Sequence, residues 1–312
     1  MHATLDDLPP EILLPIIAYT LSGESVPSNI LCVNHQFRNT GVEWLYRNLC
    51  FRSSEQLRLF AQTSENAGVV PRSVTVDLTG KYARPSDVWQ YLREAMCRCR
   101  DRTETPGVEQ KQIPLEILCL RLHSYSQDAS HHVFEEALSV VNPRVFQWTG
   151  PDPEHHFSTA IIAPVASRLC RIFGIWSNIQ DITVTNITFS SELPGVDSDD
   201  SVTPLLPEIP GLRTLYVGQA IFLSPGSVAA IFCVNDMASL ERVRLVDAYC
   251  DSIWGSRIRR SDIEKAAEII MFPQDVVQSE GVLSRIRKLL TCEMKTERII
   301  GGDRVEGSIF LV

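Results

Sequence analysis

Several groups of residues in this sequence have types and spacing that could form a binding or catalytic site. In the first, Gly302, Gly307 and Ser308 have the spacing of a phosphate-binding loop. Such a loop needs a lysine directly after its second glycine to reach the phosphates, and Ser308 stands there instead. Asp303 and Glu306 lie inside the loop, and their negative charges would repel a phosphate. We therefore reject a phosphate-binding role for this segment.

A second group, Asp197, Asp199, Ser201 and Glu208, falls at the offsets of calcium ligands in a binding loop. Val202 stands where such a loop needs a glycine to make its turn, and two nearby prolines stiffen the segment. We interpret this stretch as a solvated acidic loop.

Histidines and cysteines form no recognisable site either. The pairs His131–His132 and His155–His156 are adjacent, whereas a metal-binding helix places its imidazoles four residues apart on one side. No Gly-x-Ser-x-Gly elbow occurs, and sequence order cannot show that any cysteine meets a histidine and an acid, so a cysteine hydrolase stays an open alternative. We assign no catalytic residue, no metal ligand and no cofactor.

Size and composition indicate a folded intracellular protein. The chain has 312 residues, 44% hydrophobic and 21% charged, and its nine cysteines without C-x-x-C pairs favour a reducing compartment over a disulfide framework. Acids stand where a signal peptide needs basic residues, and no apolar run reaches about 18 residues, so we expect a soluble protein of the cytoplasm or the nucleus. The net charge of −9 argues against nucleic acid and acidic membranes as partners, which leaves a protein.

The first element that must position any site is a helix predicted by "LDDLPPEILLPIIAYTL", residues 5–21. Asp6 and Asp7 can accept from the free N–H groups of a first turn, where Pro9 and Pro10 need no partner. Pro15 lies inside the segment, and we expect it to kink the helix or confine it to a short rod.

The apolar residues of this helix cover two neighbouring faces. Ile12, Ile16 and Tyr19 line one face, and Leu13 and Ile17 line the next. The stripe is wider than a single covering neighbour requires, so something else should cover the rest.

Two further short helices are predicted before residue 50. A three-helix unit of about fifty residues buries too little surface to be secure alone, so the excess apolar surface indicates a partner. The residues at helical spacing are Ile30, Val33 and Phe37 in "NILCVNHQFR" and Val42, Leu45, Tyr46 and Leu49 in "VEWLYRNL".

The segments "LPPEILLPII", "CVNHQFR" and "WLYRNL" together resemble an F-box, over roughly residues 5 to 50. The long link from Ser22 to Asn29 and Pro15 in the first helix depart from the family pattern. The alternative is that these residues only pack within a helical N-terminal subdomain. The resemblance implies docking onto the Skp-type adaptor of a cullin ubiquitin ligase through Leu8, Pro9, Glu11, Ile12, Val33 and Phe37.

Beyond residue 50 the sequence predicts a helix over "SSEQLRLFAQTSEN" and then short strands. Four segments share the frame L-x-x-L-x-L of a leucine-rich repeat, in which a strand lines one face and a returning helix or loop covers the other. Residues 72–78 and 144–148 are poorer copies of this frame. An ordinary α/β domain with half-buried strands is the alternative. The four segments are "LEILCLRL" (115–122), "IQDITVTNI" (179–187), "LRTLYV" (212–217) and "LERVRLV" (240–246).

The remaining segments complete the predicted layout. The polar spans 97–112 and 190–211 are expected to be exposed insertions. Ser261 and Glu264 form a predicted capping box at the start of one helix, and "GVLSRIRKLLTCEMK" predicts another. The fold class is therefore α/β, with a three-helix F-box (1–50) followed by an irregular leucine-rich-repeat-like solenoid (51–312).

The resemblance implies the substrate-recognition subunit of a Skp–cullin–F-box ubiquitin ligase, a non-enzyme that holds a protein target near a ubiquitin-charged enzyme. Residues between the apolar positions of the strands should face outward and contact the target, namely Arg121, Thr183, Tyr216 and Arg244. Two alternatives remain open. One is an F-box scaffold that acts outside ubiquitin transfer, and the other is an enzyme with a site in the central domain.

Overall fold

The computed structural model describes residues 8–23, 27–63, 69–80, 84–101, 112–124, 131–152, 157–190, 203–234, 237–271, 276–297 and 304–312. Over these residues the chain forms a mixed α/β fold of ten helices and a single nine-stranded sheet. Short polar segments separate most of the elements, as the alternation of strand-like and helix-like patterns predicts.

The helices are α1 (Pro10–Gly23), α2 (Ser28–Leu31), α3 (His35–Arg47), α4 (Ser54–Thr63), α5 (Pro85–Asp101), α6 (His131–Ser139), α7 (Ala163–Phe173), α8 (Pro225–Cys233), α9 (Arg260–Met271) and α10 (Val276–Leu289). The strands are β1 (Asn48–Phe51), β2 (Ser73–Asp77), β3 (Ile113–Arg121), β4 (Val141–Thr149), β5 (Asp181–Thr188), β6 (Thr214–Ile221), β7 (Arg242–Ala248), β8 (Leu290–Glu297) and β9 (Arg304–Phe310).

The sheet keeps the order of the chain. Each strand pairs with the next one, in parallel from β1 to β8, and β9 returns antiparallel to β8. All six segments in which the sequence predicts strands are strands here, β2 to β7, so that part of the prediction is confirmed.

Side chains alternate between the two faces of the sheet. In β2, Val74 and Val76 are fully buried, while Ser73, Thr75 and Asp77 are only partly covered. The buried face packs against helices α4 to α10, which contact one another along the chain from α4 to α7 and from α8 to α10. We call the opposite, mostly polar face the open face, and one register row across it consists of Cys50, Thr75, Cys119, Gln147, Thr183, Tyr216, Arg244 and Thr291.

Two buried tryptophans find hydrogen-bond partners for their indole N–H groups within the core. The indole N–H of Trp148 donates to the Leu122 carbonyl at 3.0 Å, and that of Trp176 donates to the Leu138 carbonyl at 3.1 Å. These hydrogen bonds satisfy the polar atoms that the large rings carry into the core.

Helices α1 to α3 form a separate small core. Leu13, Ile17, Leu21 and Phe37 are all buried in it. Gly41 lets α1 and α2 pack closely on α3, since a Cβ at this position would lie 2.5 Å from Leu31 Cδ2 on α2 and 3.3 Å from Leu21 Cδ1 on α1. This unit leads directly into β1, so the predicted domain boundary at residue 50 falls inside a strand whose apolar residues join the large core.

The structure differs from the sequence expectations near the N-terminus and in α5. Helix α1 continues through Pro15 to Gly23, so Pro15 does not confine it to a short rod. The proposed caps Asp6 and Asp7 lie outside the described residues. Residues 97–101 belong to α5, where Cys99 is buried, so this part of the expected insertion is wrong because the helix presents an apolar face to the core.

Three further expectations are corrected. Leu206 and Ile209 are buried, so the second polar span returns to the core after its acidic part. Helix α9 begins at Arg260, and Asp262 Oδ2 accepts from the Arg259 N–H at 2.9 Å, so the helix cap is Arg259, two residues before the predicted cap Ser261. The last predicted helix ends at Leu289, and residues 290–295 are strand, because β8 completes the parallel sheet there.

Candidate functional site

Helix α1 has a buried stripe and an exposed stripe side by side. Leu13, Ile17 and Leu21 face α3 in the small core. Ile12, Ile16 and Tyr19, which we call the exposed α1 stripe, are 50%, 36% and 84% exposed. Their spacing of four and three residues places them on one helix face, as the sequence predicts. An apolar stripe this open on a small unit is typical of a surface that another protein covers.

The residues predicted to contact an adaptor divide into two groups. Pro9 and Glu11 are exposed, Leu8 is partly covered, and Val33 is 57% exposed, so these side chains are accessible together with Ile12. Phe37 is 6% exposed and packs with Leu13, Ile17 and Leu21. Its backbone N–H, at the start of α3, donates to Asn34 Oδ1 at 2.8 Å. Phe37 therefore lies beneath the surface and supports the helices that form it.

The second candidate surface is the open face. Thr183, Tyr216 and Arg244 are direct neighbours in one register row, which places them together as predicted. Arg121 lies one row further along β3, opposite Asp77 and Thr149. All four predicted target-contact residues are partly exposed on this face.

The guanidinium of Arg244 is already occupied. It donates from Nε and Nη2 to the carboxylate of Glu293 at 2.5 and 2.6 Å, and Glu293 is 4% exposed. This hydrogen bond raises the pKa of Arg244 above its ordinary value. Arg244 also lies 5.4 Å from the ring centre of Tyr216, whose own pKa is raised by burial. Bound to Glu293, Arg244 supports the Tyr216 ring and is not a free cation for a partner.

Beyond this row the open face deepens into a cleft of about 320 Å³ at the carboxyl ends of β3 to β8. We call it the strand-end cleft, and it contains two of the predicted residues, Arg121 and Tyr216. The other lining residues are Thr149, Gly150, Asp152, Thr185, Asn186, Gly218, Gln219, Val246, Asp247, Lys295 and Thr296.

Three adjacent strands break their regular geometry at the same level of the cleft. Asn186, Gln219 and Asp247 have φ angles of 58°, 47° and 50°, in the left-handed region. They stand between paired residues of β5, β6 and β7 and are not paired themselves, so the ladder is interrupted at this level without a change of register. Such a conformation costs on the order of 1–3 kcal/mol per residue and tends to cluster at functional sites.

Close packing fixes the shape of the cleft. A Cβ on Gly218 would lie 2.9 Å from Tyr216 Cε1, so only glycine lets that ring lie against β6. Asp247 is 2% exposed and accepts from Arg257 Nε at 2.8 Å and from the Thr296 N–H at 2.9 Å. Arg257 also donates to the Thr296 carbonyl. These bonds tie the end of β7 to β8.

Sequence reasoning missed Asn186, Gln219 and Asp247. A signal was present, since each stands four residues after the second apolar residue of its L-x-x-L-x-L frame, at Ile182, Leu215 and Val243. Polar residues repeated at one offset of a repeat mark one position on its surface.

Other candidates gain no support as chemical sites. Burial raises the pKa of Cys170 and of Cys292 to about 12, so both thiols stay protonated near neutral pH. Within the described residues no group of three or more His, Cys, Asp and Glu could hold a metal ion. Searching the same residues for a helix long and apolar enough to cross a membrane finds none. Residues 197–201, Gly302 and Asp303 of the phosphate-loop outline, and His155–His156 lie outside the described residues.

Comparison of the chain with protein-family models, with curated proteins and with solved structures found no match.

Proposed function

We propose that this chain is the substrate-recognition subunit of a Skp–cullin–F-box ubiquitin ligase. In this proposal α1 to α3 form an F-box that binds the Skp-type adaptor, and residues 51–312 form a leucine-rich-repeat-like domain that binds a protein target. The complex would act in the cytoplasm or the nucleus.

The exposed α1 stripe is the observation that carries the proposal. The side chains of Ile12, Ile16 and Tyr19 are exposed to solvent, although the neighbouring stripe of the same helix is buried in the small core. The stripe belongs to the segment that resembles the adaptor-binding start of an F-box, and Val33 adds exposed apolar surface near the start of α3. Burying these side chains against an adaptor would supply the apolar contact that the small unit lacks.

The larger domain supports the proposal through its topology. Strands that follow one another in parallel, with helices on one face, suit a repeat-like domain that presents its open face to a target. On that face Arg121, Thr183 and Tyr216 would contact the target, while Arg244 would hold Tyr216 through its pair with Glu293.

The proposed mechanism is proximity, with no bond chemistry by this chain. A target held on the open face and an adaptor held on α1 would belong to one assembly with a ubiquitin-charged enzyme. Transfer would then occur within a complex instead of through a chance encounter, which raises the effective concentration of the reacting groups.

Co-expression of the chain with a Skp-type adaptor, followed by size-exclusion chromatography, tests the proposal. The wild type should elute as a stoichiometric complex. A variant with Ile12→Ser, Ile16→Ser and Tyr19→Ser should elute alone and folded, because the substituted side chains are exposed. The matched control is Ile269→Ser on α9, which is 74% exposed and should not affect the complex.

Addition of a cullin to the purified complex separates a ligase subunit from a scaffold that acts outside ubiquitin transfer. Entry into a complex that contains the cullin supports the ligase subunit. A wild-type chain that elutes without the adaptor, or a triple variant that still binds it, would overturn the proposal.

A further inference from the structure

We propose that the outer edge of β1 binds an extended segment of the target as an added strand of the sheet, through a three-residue core of apolar, polar and apolar side chains. This inference rests on the proposed function, since the target is the partner that the function requires.

A groove of about 750 Å³ follows strand β1. All five consecutive residues from Asn48 to Arg52 line it. Successive side chains of a strand point to opposite faces, so a groove that meets every residue lies along the edge of the strand. Among the strands that the structure describes, β1 is the first of the sheet and pairs only with β2. We call this space the edge groove.

Backbone groups of β1 face the edge groove. The Asn48 N–H donates to the Trp44 carbonyl, and the Arg52 N–H donates to Gln56 Oε1 at 2.7 Å, so neither bonds to β2. The backbone groups of alternate strand residues point to the same side, which directs the N–H and C=O of Cys50 to the same outer edge. Within the described part of the chain, no turn, loop or cap bonds to either group. An added strand would pair with both.

The walls of the edge groove are largely apolar. Val42 and Leu45 of α3 line it on the side of the small unit, and Leu59 and Phe60 of α4 line it on the side of the large core. Leu59 is 43% exposed. Burial of apolar side chains against these walls would add to the backbone hydrogen bonds.

The order of the side chains in the segment follows from the two faces of β1. Leu49 and Phe51 belong to the large core, on the face that α4 covers, and Cys50 lies on the open face. Directly paired residues of neighbouring strands point to the same face. The residue opposite Cys50 should therefore be polar, and its two neighbours should be apolar and contact α4.

The volume of the groove suits this three-residue core. At the roughly 30 Å³ that a water molecule takes in the liquid, 750 Å³ holds about 25 non-hydrogen atoms, and a Val-Ser-Val core has about 20. Three extended residues reach about 10 Å, which is less than the roughly 13 Å from Asn48 to Arg52.

The edge groove is continuous with the open face and separate from the exposed α1 stripe. Cys50 and Thr75 line the groove and also belong to the register row of the open face. Ile12, Ile16 and Tyr19 do not line it. A segment in the groove is therefore continuous with a target on the open face, whereas an adaptor on α1 uses other residues.

Amide ¹H–¹⁵N spectra of the full-length chain, titrated with capped pentapeptides, test the inference. One peptide is Gly-Val-Ser-Val-Gly, and the other is Gly-Ser-Val-Ser-Gly. The first should bind at least about tenfold more tightly and shift the Cys50 amide signal, because two Val side chains reach α4 while the peptide backbone pairs with β1. A third peptide, the first one N-methylated at its three central residues, lacks their donors and should bind at least about tenfold more weakly than the first.

Substitutions at Cys50 separate its backbone from its side chain. Cys50→Pro removes the N–H that faces the groove, and an edge strand tolerates proline where this N–H lies outside the ladder. This variant should bind the Val-Ser-Val peptide at least about tenfold more weakly than the wild type. Cys50→Ala is the matched control, because it keeps the N–H, and its dissociation constant should equal that of the wild type.

A second pair of variants tests the apolar wall. Leu59→Ser should weaken binding of the same peptide at least about threefold, since it removes apolar surface from the groove at an exposed position. Ile269→Ser, on α9, should leave the dissociation constant unchanged. If Cys50→Pro does not fold, Leu59→Ser and the N-methylated peptide decide the test.

Equal binding of the two Val and Ser peptides, no shift at about 10 mM peptide, or equal binding by folded Cys50→Pro and Cys50→Ala would overturn the inference. Sedimentation velocity of the chain without peptide tests another occupant. A dimer that Cys50→Pro converts into a monomer would assign the edge to a second copy of the chain, and would also overturn the inference. The peptide assay contains no adaptor, so its failure leaves adaptor binding by α1 untouched, and a failed adaptor test leaves the peptide result standing.

Discussion

At the scale of single residues, Arg244 shows that a position between apolar residues of a strand need not be available to a partner. Its pattern in the sequence predicts an outward side chain, and the side chain does lie on the open face. Its guanidinium, however, is bound to Glu293, which belongs to β8 and is 49 residues away along the chain. No local pattern could predict this pair, because β8 itself falls in a segment with the periodicity of a helix.

Arg244→Ala should destabilise the fold by about 2 kcal/mol, because it leaves the buried carboxylate of Glu293 without its two donors. Arg213→Ala is the matched control, since the Arg213–Glu241 pair is more than half exposed on both sides and should contribute less than about 0.5 kcal/mol. Urea unfolding measures both changes. Equal losses in the two variants would contradict the structural role of Arg244.

Cys292 predicts a loss of stability in alkaline solution. Its pKa is about 12 in the fold against an ordinary 9.0, so the unfolded chain loses this proton first as pH rises. The contribution of the protonated Cys292 thiol to the free energy of unfolding is complete below pH 9. It declines between pH 9 and 12, by up to about 1.4 kcal/mol per pH unit. Cys292→Val should show a shallower fall of unfolding free energy between these pH values, and an unchanged slope would refute the assignment.

At the scale of elements, the apolar pattern of β5 to β7 does not predict the left-handed residues that these strands contain. The apolar frame predicts where each strand begins, but the left-handed residues at its end depend on how three strands align. Gln219→Val should destabilise the fold by about 1–2 kcal/mol, because a β-branched residue is strained at positive φ. Gln147→Val, at an exposed strand position on the same face, should be neutral or slightly stabilising. The comparison is made by thermal or urea unfolding, and equal effects would argue against the left-handed conformation of Gln219.

The division of the N-terminal helices into buried core and exposed surface makes a second prediction at this scale. Phe37→Ala should weaken the packing of α1 on α3 by about 3 kcal/mol, since it empties much of the small core. Val33→Ala should change stability by less than about 0.5 kcal/mol, because Val33 is 57% exposed. Hydrogen exchange of the α1 and α3 amides reports both, and similar protection in the two variants would contradict the division into core and surface.

At the scale of the whole molecule, sequence patterns predict the strands β2 to β7 and the helical start of the chain. They succeed there because each apolar frame is local and repeats along the chain, as in Leu212, Leu215 and Val217. They predict a helix at residues 290–295, because Leu290 continues the helical spacing of Ile286. In the structure Leu290 pairs with Val243 of the sheet and begins β8. The strand-end cleft escapes prediction for the same reason, since Asp152 and Lys295 line one cleft from strands far apart in the chain and share no local motif.

The affinity of the full-length chain for a purified Skp-type adaptor tests the central claim most directly. Isothermal titration should give a one-to-one complex, and Tyr19→Ala, which removes an 84% exposed ring, should weaken it at least about tenfold. Ile269→Ala, on an exposed position of α9, should leave the dissociation constant unchanged. Equal affinities of the wild type, Tyr19→Ala and Ile12→Ala, or no detectable heat with the wild type, would contradict an adaptor-binding role for α1.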